Sequence, residues 1–166
     1  LHTTFRNAVL NRKIINIEAI YSKNEEASVD FGSILTFQNL DPFTFSKNVV
    51  RKPEKNLLSF HQMIKPAFNL RIIGAEHDAV KLCKIGSLLG LQIDLITSLK
   101  DPKSINDFPG ANSVVESNAE MIDFSKIDAN TGILIMNHSY VQDLKYILKL
   151  IDKKPAYLGV LGAAKR

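Results

Sequence analysis

Two short polar segments of this chain hold the side chains best suited to chemistry. Residues 74–78 read Gly-Ala-Glu-His-Asp, and residues 136–138 read Met-Asn-His. Because histidine changes charge near neutral pH, His77 and His138 are candidates for binding an anion, ligating a metal or transferring a proton. The simpler alternative, which stays open, is that both are loop histidines that hydrogen-bond the backbone.

Nearby acidic residues and a single cysteine are the remaining candidates. Glu76, Asp78 and Asp143 could supply paired carboxylates for acid–base chemistry. Asp78 is explained more simply as a helix cap or as a first-turn carboxylate that stabilises the helix dipole. Cys83 lies among apolar residues, where free cysteine usually packs in a core, and nothing near it in sequence would lower its pKa as a sulfur carrier requires. We therefore predict no catalytic residue and no metal site.

The stretch Leu70–Gly90 predicts the strand, turn and helix that place His77. It opens with an apolar run typical of a central parallel strand covered on both faces. Gly74 provides a tight turn, and apolar residues then recur at helical spacing. Gly90 ends the helix, because glycine adopts a left-handed conformation without a Cβ clash.

The turn in this stretch lies where a dinucleotide-binding fold has its G-x-G-x-x-G/A loop. Gly74 and Ala79 fit the first and last of these positions. Glu76 replaces the middle glycine, so bulk and negative charge lie where a pyrophosphate would approach. The segment Thr97-Ser98-Leu99 also lacks the acid that binds ribose hydroxyls. Both features argue against NAD as a cofactor.

Alternating strand and helix patterns follow Gly90 and predict an α/β fold. The predicted strands cover residues 92–96, 113–115, 133–136 and 157–160. A helix is predicted over Ser139–Ile151, with an apolar face formed by Val141, Leu144, Ile147, Leu148 and Ile151. These elements are typical of a Rossmann-like parallel sheet with the strand order 3-2-1-4-5.

The first 69 residues lack helical periodicity and predict a small β-rich N-terminal segment. The strand patterns are Lys13–Tyr21, Ser28–Phe37, the alternation around Phe43 and Phe45, and the apolar segment Leu57–Ile64. We therefore predict a β-rich segment over residues 1–66 and a Rossmann-like domain over residues 67–166.

The carboxyl ends of parallel strands meet at one edge of a sheet, where such folds place their sites. The segments expected at that edge are Gly74–Asp78, Thr97–Leu99, Asn137–Tyr140 and Leu161–Arg166. The topology thus predicts that His77 and His138 lie on the same edge.

The composition is ordinary for a soluble globular protein, with 45% hydrophobic and 23% charged residues and a net charge of +4. Scattered lysines and the absence of tryptophan argue against nucleic-acid binding. Apolar runs are too short to span a membrane, no signal peptide is visible, and one cysteine fits a reducing cytoplasm. The chain begins at Leu1 and ends at Arg166, which predicts a piece of a longer polypeptide.

Four motifs in series resemble those of the xanthine dehydrogenase accessory factor family, also called XdhC/CoxI. They are IIGAEHDA at 72–79, FPGA at 108–111, MNHSYVQDL at 136–144 and PAYLGVLGAAKR at 155–166. The chain departs from the family pattern at Glu76 and at Thr97-Ser98-Leu99. It also contains no counterpart of the family's S-G-G-C-x-E motif.

The resemblance implies a cytoplasmic maturation protein with a Rossmann-like domain. Such proteins receive the molybdenum cofactor (molybdopterin), help its sulfuration and pass it to a xanthine dehydrogenase-type apoenzyme, and they commonly form homodimers. The protein is then an accessory factor more than an enzyme. The residues expected to bind the cofactor are Gly74, Ala75, Glu76, His77, Asp78, Asn137, His138, Gly162, Lys165 and Arg166.

Two alternatives to this interpretation remain. One is an NAD(P)-dependent oxidoreductase that uses the same sheet edge, for which a glycine at position 76 and an acid near Thr97 would be expected. The other is a divergent module that binds no cofactor and only dimerises.

Overall fold

Contacts along the chain define two compact units, Leu1–Pro66 and Ala67–Arg166. The structure is a computed structural model that describes residues 2–22, 31–37, 41–45 and 57–161. Each unit has its own sheet and its own hydrophobic core.

The first unit contains one helix and an antiparallel sheet. Helix α1 spans His2–Leu10. The strands are β1 (Ile15–Tyr21), β2 (Gly32–Phe37), β3 (Phe43–Thr44) and β4 (Leu58–Ile64), in the order β3-β2-β1-β4. The predicted β-rich character is confirmed, and helix α1 is an element that the strand patterns did not predict. Helix α1 is short, and Ala8 is its one buried residue, so the sequence shows little helical periodicity.

The second unit is a five-stranded parallel sheet. Its strands are β5 (Asn69–Ile73), β6 (Gln92–Thr97), β7 (Ser113–Glu116), β8 (Thr131–Ile135) and β9 (Tyr157–Val160). They lie in the order β7-β6-β5-β8-β9, which is 3-2-1-4-5 when counted within this unit. Helix α2 (His77–Leu88) follows β5, and helix α3 (Tyr140–Leu150) follows β8. The predicted Rossmann-like α/β fold is confirmed.

Adjacent residues of the central strand β5 face opposite sides of this sheet. Ile72 is fully buried in a cluster with Ala79 and Cys83 of helix α2. Ile73 is buried in a second cluster with Tyr146 and Leu150 of helix α3. The sheet is therefore covered on both faces, as the apolar run at its centre predicts.

Helix α3 forms where it is predicted but buries a different face. The residues buried on it are Asp143, Tyr146 and Leu150. Most of the predicted apolar face is exposed: Val141 is 61%, Leu144 41%, Leu148 59% and Ile151 72% exposed. The predicted face is wrong because the helix carries apolar residues on two sides, and the side that packs is decided by the sheet.

Two side-chain hydrogen bonds to one carboxylate fix the positions of three neighbouring strands of the parallel sheet. Asp94 of β6 accepts hydrogen bonds from Asn69 Nδ2 at 2.7 Å and from Ser113 Oγ at 2.5 Å. Strands β5, β6 and β7 are thereby joined through one carboxylate. Among the described residues, no helix is long and apolar enough to cross a membrane.

Candidate functional site

A cavity of about 610 Å³ opens at the carboxyl edge of the parallel sheet. This volume lies within the usual range for small-molecule pockets. The walls come from residues 96–100 at the end of β6, residues 117–120 after β7, residues 137–139 after β8, and the first two turns of α3. The cavity is therefore built by several strand ends of one sheet, as expected for an open α/β fold.

Backbone hydrogen bonds at the strand ends hold these segments in place. Gly74 N donates to Ile96 O at 3.0 Å, and Met136 N donates to Ile73 O at 2.7 Å. Ser117 N donates to Thr97 O at 3.0 Å. The segments that leave β6, β7 and β8 toward the cavity thus start from fixed positions.

Gly74 permits the close approach of the turn after β5 to the end of β8. Its φ is +133°, a conformation that side chains rarely adopt. A Cβ at this position would lie 2.7 Å from Met136 O and 2.8 Å from Met136 C. The glycine therefore serves backbone packing beside the cavity, whatever ligand the edge binds.

Cationic and anionic side chains both line the cavity. Lys100 and His138 are exposed at its rim, and Lys145 Nζ lies 2.6 Å from Glu120 Oε1. The hydrogen bond from Lys145 lowers the pKa of the Glu120 carboxyl, which is thus ionised at neutral pH. With two lysines facing one carboxylate, the lining is positive overall when His138 is counted as neutral.

Lys149, one turn beyond Lys145 on α3, stabilises the wall without lining the cavity. Its Nζ donates to Glu120 O at 2.8 Å and to Ile122 O at 2.9 Å. These contacts tie residues 120–122 to the helix. Lys149 therefore supports the position of Glu120 in the wall.

Tyr146 forms the buried part of the wall. It is 5% exposed, and its hydroxyl lies 3.5 Å from Ser117 O. Burial, and secondarily the charge of Glu120, raises the pKa of Tyr146, so the phenol stays neutral at physiological pH. The wall thus adds an apolar ring to an otherwise polar cavity.

The structure places two of the predicted cofactor-binding residues in this cavity. Asn137 is half-buried, His138 is exposed, and both line it. The residues of the turn after β5 are absent from its lining: Gly74 is buried, Ala75 is half-buried, and Glu76, His77 and Asp78 are exposed. Gly162, Lys165 and Arg166 lie outside the described residues.

The start of α2 differs from the prediction in one respect. Asp78 lies in the first turn of α2, and Glu76 occupies the N-cap position. The side chain of Glu76 makes no capping hydrogen bond. Of the two roles predicted for Asp78, the first-turn position is confirmed and the cap is wrong, because the helix begins one residue before it.

Several residues of the cavity were not predicted. Lys100 falls in a polar stretch, and Lys145 lies outside the apolar face predicted for its helix. Glu120 lies in a segment without clear periodicity. No sequence pattern links these three positions, and only the packing of α3 against the sheet brings Lys145 and Glu120 together.

Cys83 is a packing residue, as predicted. It is 0% exposed in the cluster beneath α2, and burial raises the pKa of its thiol to about 11. A thiol in this state is a poor nucleophile at neutral pH. Among the described residues, no three His, Cys, Asp or Glu side chains lie close enough together to hold a metal ion.

Comparison with known proteins gives two findings. Residues 70–166 match the family described as XdhC Rossmann domain. The fold is similar to a crystal structure described as a xanthine dehydrogenase from Bacillus halodurans, with a TM-score of 0.74 and 19% sequence identity. The alignment covers 96% of this chain and 51% of that one, so this chain spans about half the length of that protein.

At 19% identity the structural similarity shows the fold alone. No curated protein sequence matches the chain. The family match, in contrast, covers more than half of the chain and includes the turn after β5, the start of α3 and strand β9. The chain belongs to the XdhC family, through its Rossmann domain.

Proposed function

We propose that this protein is an accessory factor for molybdenum-cofactor enzymes of the xanthine dehydrogenase type. It binds the molybdopterin cofactor in the cavity at the sheet edge and delivers it to an apoenzyme. The observation that carries the proposal is that the cavity lies within the part of the chain that matches the family. The segment after β8, which lies within the region that matches the XdhC Rossmann domain, is also a wall of the cavity.

The donors in the cavity suit the cofactor's chemistry. A pterin ring presents amide-like hydrogen-bonding edges, which the side chains of Asn118, Asn137 and Gln142 can match. The cofactor's anionic groups suit a lining with Lys100 and Lys145. When bound, the cofactor supplies the redox chemistry of its eventual enzyme. The chain's own residues only bind it, orient it and shield it.

The structure favours this role over an NAD(P)-dependent oxidoreductase. Glu76 is exposed at the start of α2, where a dinucleotide fold holds the pyrophosphate. Asp78, also exposed, adds a second carboxylate in the first turn. Two negative charges at this helix start oppose the binding of a dinucleotide.

An exposed apolar stripe on α3 supports contact with another protein. Val141, Leu144, Leu148 and Ile151 recur at helical spacing, and each is at least 41% exposed. Exposed apolar patches of this kind are typical of protein–protein interfaces. We propose that the stripe serves a homodimer contact or the docking of the apoenzyme. It also favours the second candidate function, a module that only dimerises.

Cofactor transfer tests the proposed function directly. The protein is incubated with molybdopterin released from a molybdoenzyme, passed over a desalting column and mixed with cofactor-free xanthine dehydrogenase. We expect cofactor to coelute with the protein and activity to appear in the apoenzyme. Serum albumin at equal concentration is the control for unspecific carriage.

The outcomes separate the candidate functions. Retention without transfer would limit the protein to cofactor storage. Failure to retain cofactor, together with a dimer in analytical ultracentrifugation, would leave the dimerisation module as the function and contradict cofactor delivery.

A further inference from the structure

We infer that the side of the cavity formed by Lys100 and Lys145 is the subsite for a phosphomonoester group of the ligand. The inference rests on the proposed function and deepens it, because it assigns the ligand's phosphate to one wall. It also moves the phosphate away from the turn after Gly74, where a Rossmann-like fold would ordinarily hold it.

The segment after the second strand of the fold favours a phosphate over a sugar diol. In dinucleotide folds, an acid at this position binds ribose hydroxyls, whereas a cation accommodates a phosphate. Here residues 97–100 read Thr-Ser-Leu-Lys and line the cavity. Hydroxyls and an ammonium group are donors that a phosphomonoester can accept from, and no carboxylate in this segment repels it.

The charges at the two candidate phosphate sites on this edge have opposite signs. The start of α2 carries the exposed carboxylates of Glu76 and Asp78. The cavity carries Lys100 and Lys145 against the single carboxylate of Glu120. A dianionic phosphate is attracted to the cavity and repelled by the exposed carboxylates of the turn.

The Lys145–Glu120 ion pair determines how Lys145 takes part. The two side chains are 45% and 57% exposed, so the pair contributes little to stability and Lys145 can exchange its partner. A phosphate near Lys145 competes with Glu120 and is repelled by it. Removing the charge of Glu120 should therefore strengthen phosphate binding, whereas a purely structural role of the pair predicts no such gain.

The test compares 6-hydroxymethylpterin with its monophosphate, two probes that differ only in the phosphomonoester. Binding is followed by quenching of pterin fluorescence, with inorganic phosphate as competitor. We expect the monophosphate to bind at least about tenfold more tightly, the effect of one charge-assisted contact. Lys100→Gln and Lys145→Gln should each reduce this advantage several-fold, and Glu120→Gln should increase it.

Lys153→Gln is the matched control, because Lys153 follows the same helix, is exposed and is absent from the cavity lining. Circular dichroism confirms that each variant is folded. Equal affinity for the two pterins, or no binding of either, would overturn the inference. So would an advantage that survives Lys100→Gln and Lys145→Gln.

Competition by inorganic phosphate identifies the source of the affinity. Displacement of the monophosphate alone shows a phosphate subsite, and displacement of neither pterin contradicts it. The outcome is separable from that of the proposed function. A protein that transfers molybdopterin with both lysines replaced refutes the subsite only, whereas one that binds the pterin monophosphate but transfers no cofactor refutes delivery only.

Discussion

Replacing Gly74 by alanine should destabilise the Rossmann-like unit strongly, because both the backbone conformation and the space at this position exclude a side chain. Gly74 has a φ of +133°, so an alanine there strains the backbone. The new Cβ would also lie 2.7 Å from Met136 O, a main-chain atom at the end of strand β8. The Gly74 backbone is held by the hydrogen bond from its N to Ile96 O, and the Met136 backbone by the hydrogen bond from its N to Ile73 O. Because neither can move away without breaking its bond, both penalties apply.

The magnitude follows from these two terms. A non-glycine residue in a sparsely populated backbone region costs about 1–3 kcal/mol. Forced overpacking against an unyielding neighbour costs about a further 1–3 kcal/mol. We expect Gly74→Ala to lower the free energy of unfolding by about 2–6 kcal/mol, a large share of the roughly 5–15 kcal/mol typical of a domain.

Gly90→Ala is the matched control. Gly90 also has a positive φ, of +78°, but a Cβ there meets nothing within 4 Å. Gly90→Ala should lower the free energy of unfolding by only about 1–2 kcal/mol, because it adds the strain of a left-handed backbone without a steric clash. Urea denaturation followed by circular dichroism measures both losses. Equal losses for the two variants would refute the argument that Gly74 is required by the close approach to Met136.

Three further predictions follow from the described contacts. Since burial raises the pKa of Cys83 to about 11, its thiol should react with a disulfide reagent at pH 8 only after denaturation. Because the folded state holds the thiol protonated, the free energy of unfolding should fall by up to about 3 kcal/mol as pH rises from about 9 through 11. Cys83→Ala should not show this loss. In thermal unfolding, Leu150→Ala should lower the free energy of unfolding by about 2–5 kcal/mol, because Leu150 is buried, and Leu148→Ala by less than about 1 kcal/mol, because Leu148 is exposed. A larger loss for Leu148→Ala would instead support the apolar face predicted from the sequence. In calorimetry NAD should bind weakly or not at all, and Glu76→Gly should improve any residual binding; micromolar affinity of the unmodified protein would contradict this.

The sequence predicts the elements of the second unit well because its signals there are local. The apolar run before Gly74 and the glycine at position 90 define a strand, a turn and a helix without reference to the rest of the chain. The resemblance to the XdhC family rests on motifs at strand ends, which topology keeps together. Local pattern and global fold agree there, as they do in most natural proteins.

The face of α3 could not be predicted in the same way. Apolar residues surround this helix, so periodicity alone assigns the stripe around Leu148 to the core. The structure instead buries Tyr146 and Leu150, together with the carboxyl-bearing Asp143. An exposed apolar stripe on a helix has the same periodicity as a buried one, and a single sequence cannot tell the two apart.

The sequence predicts the sheet edge at which the cavity lies, but it does not predict the charged residues that line the cavity. Asn137 and His138 follow a strand and line the cavity, whereas His77 is absent from its lining. The role of these residues in cofactor binding stays a prediction. Lys145 was missed because its position depends on how α3 rolls against the sheet, which no local pattern encodes.

Hydrogen exchange of the protein with and without molybdopterin tests the central claim most directly. We expect slower exchange of the amides in residues 97–100 and 137–142, which line or adjoin the cavity. Amides of residues 75–79, at the start of α2, should be unchanged. Protection confined to residues 75–79, or no protection anywhere on the sheet edge, would contradict it.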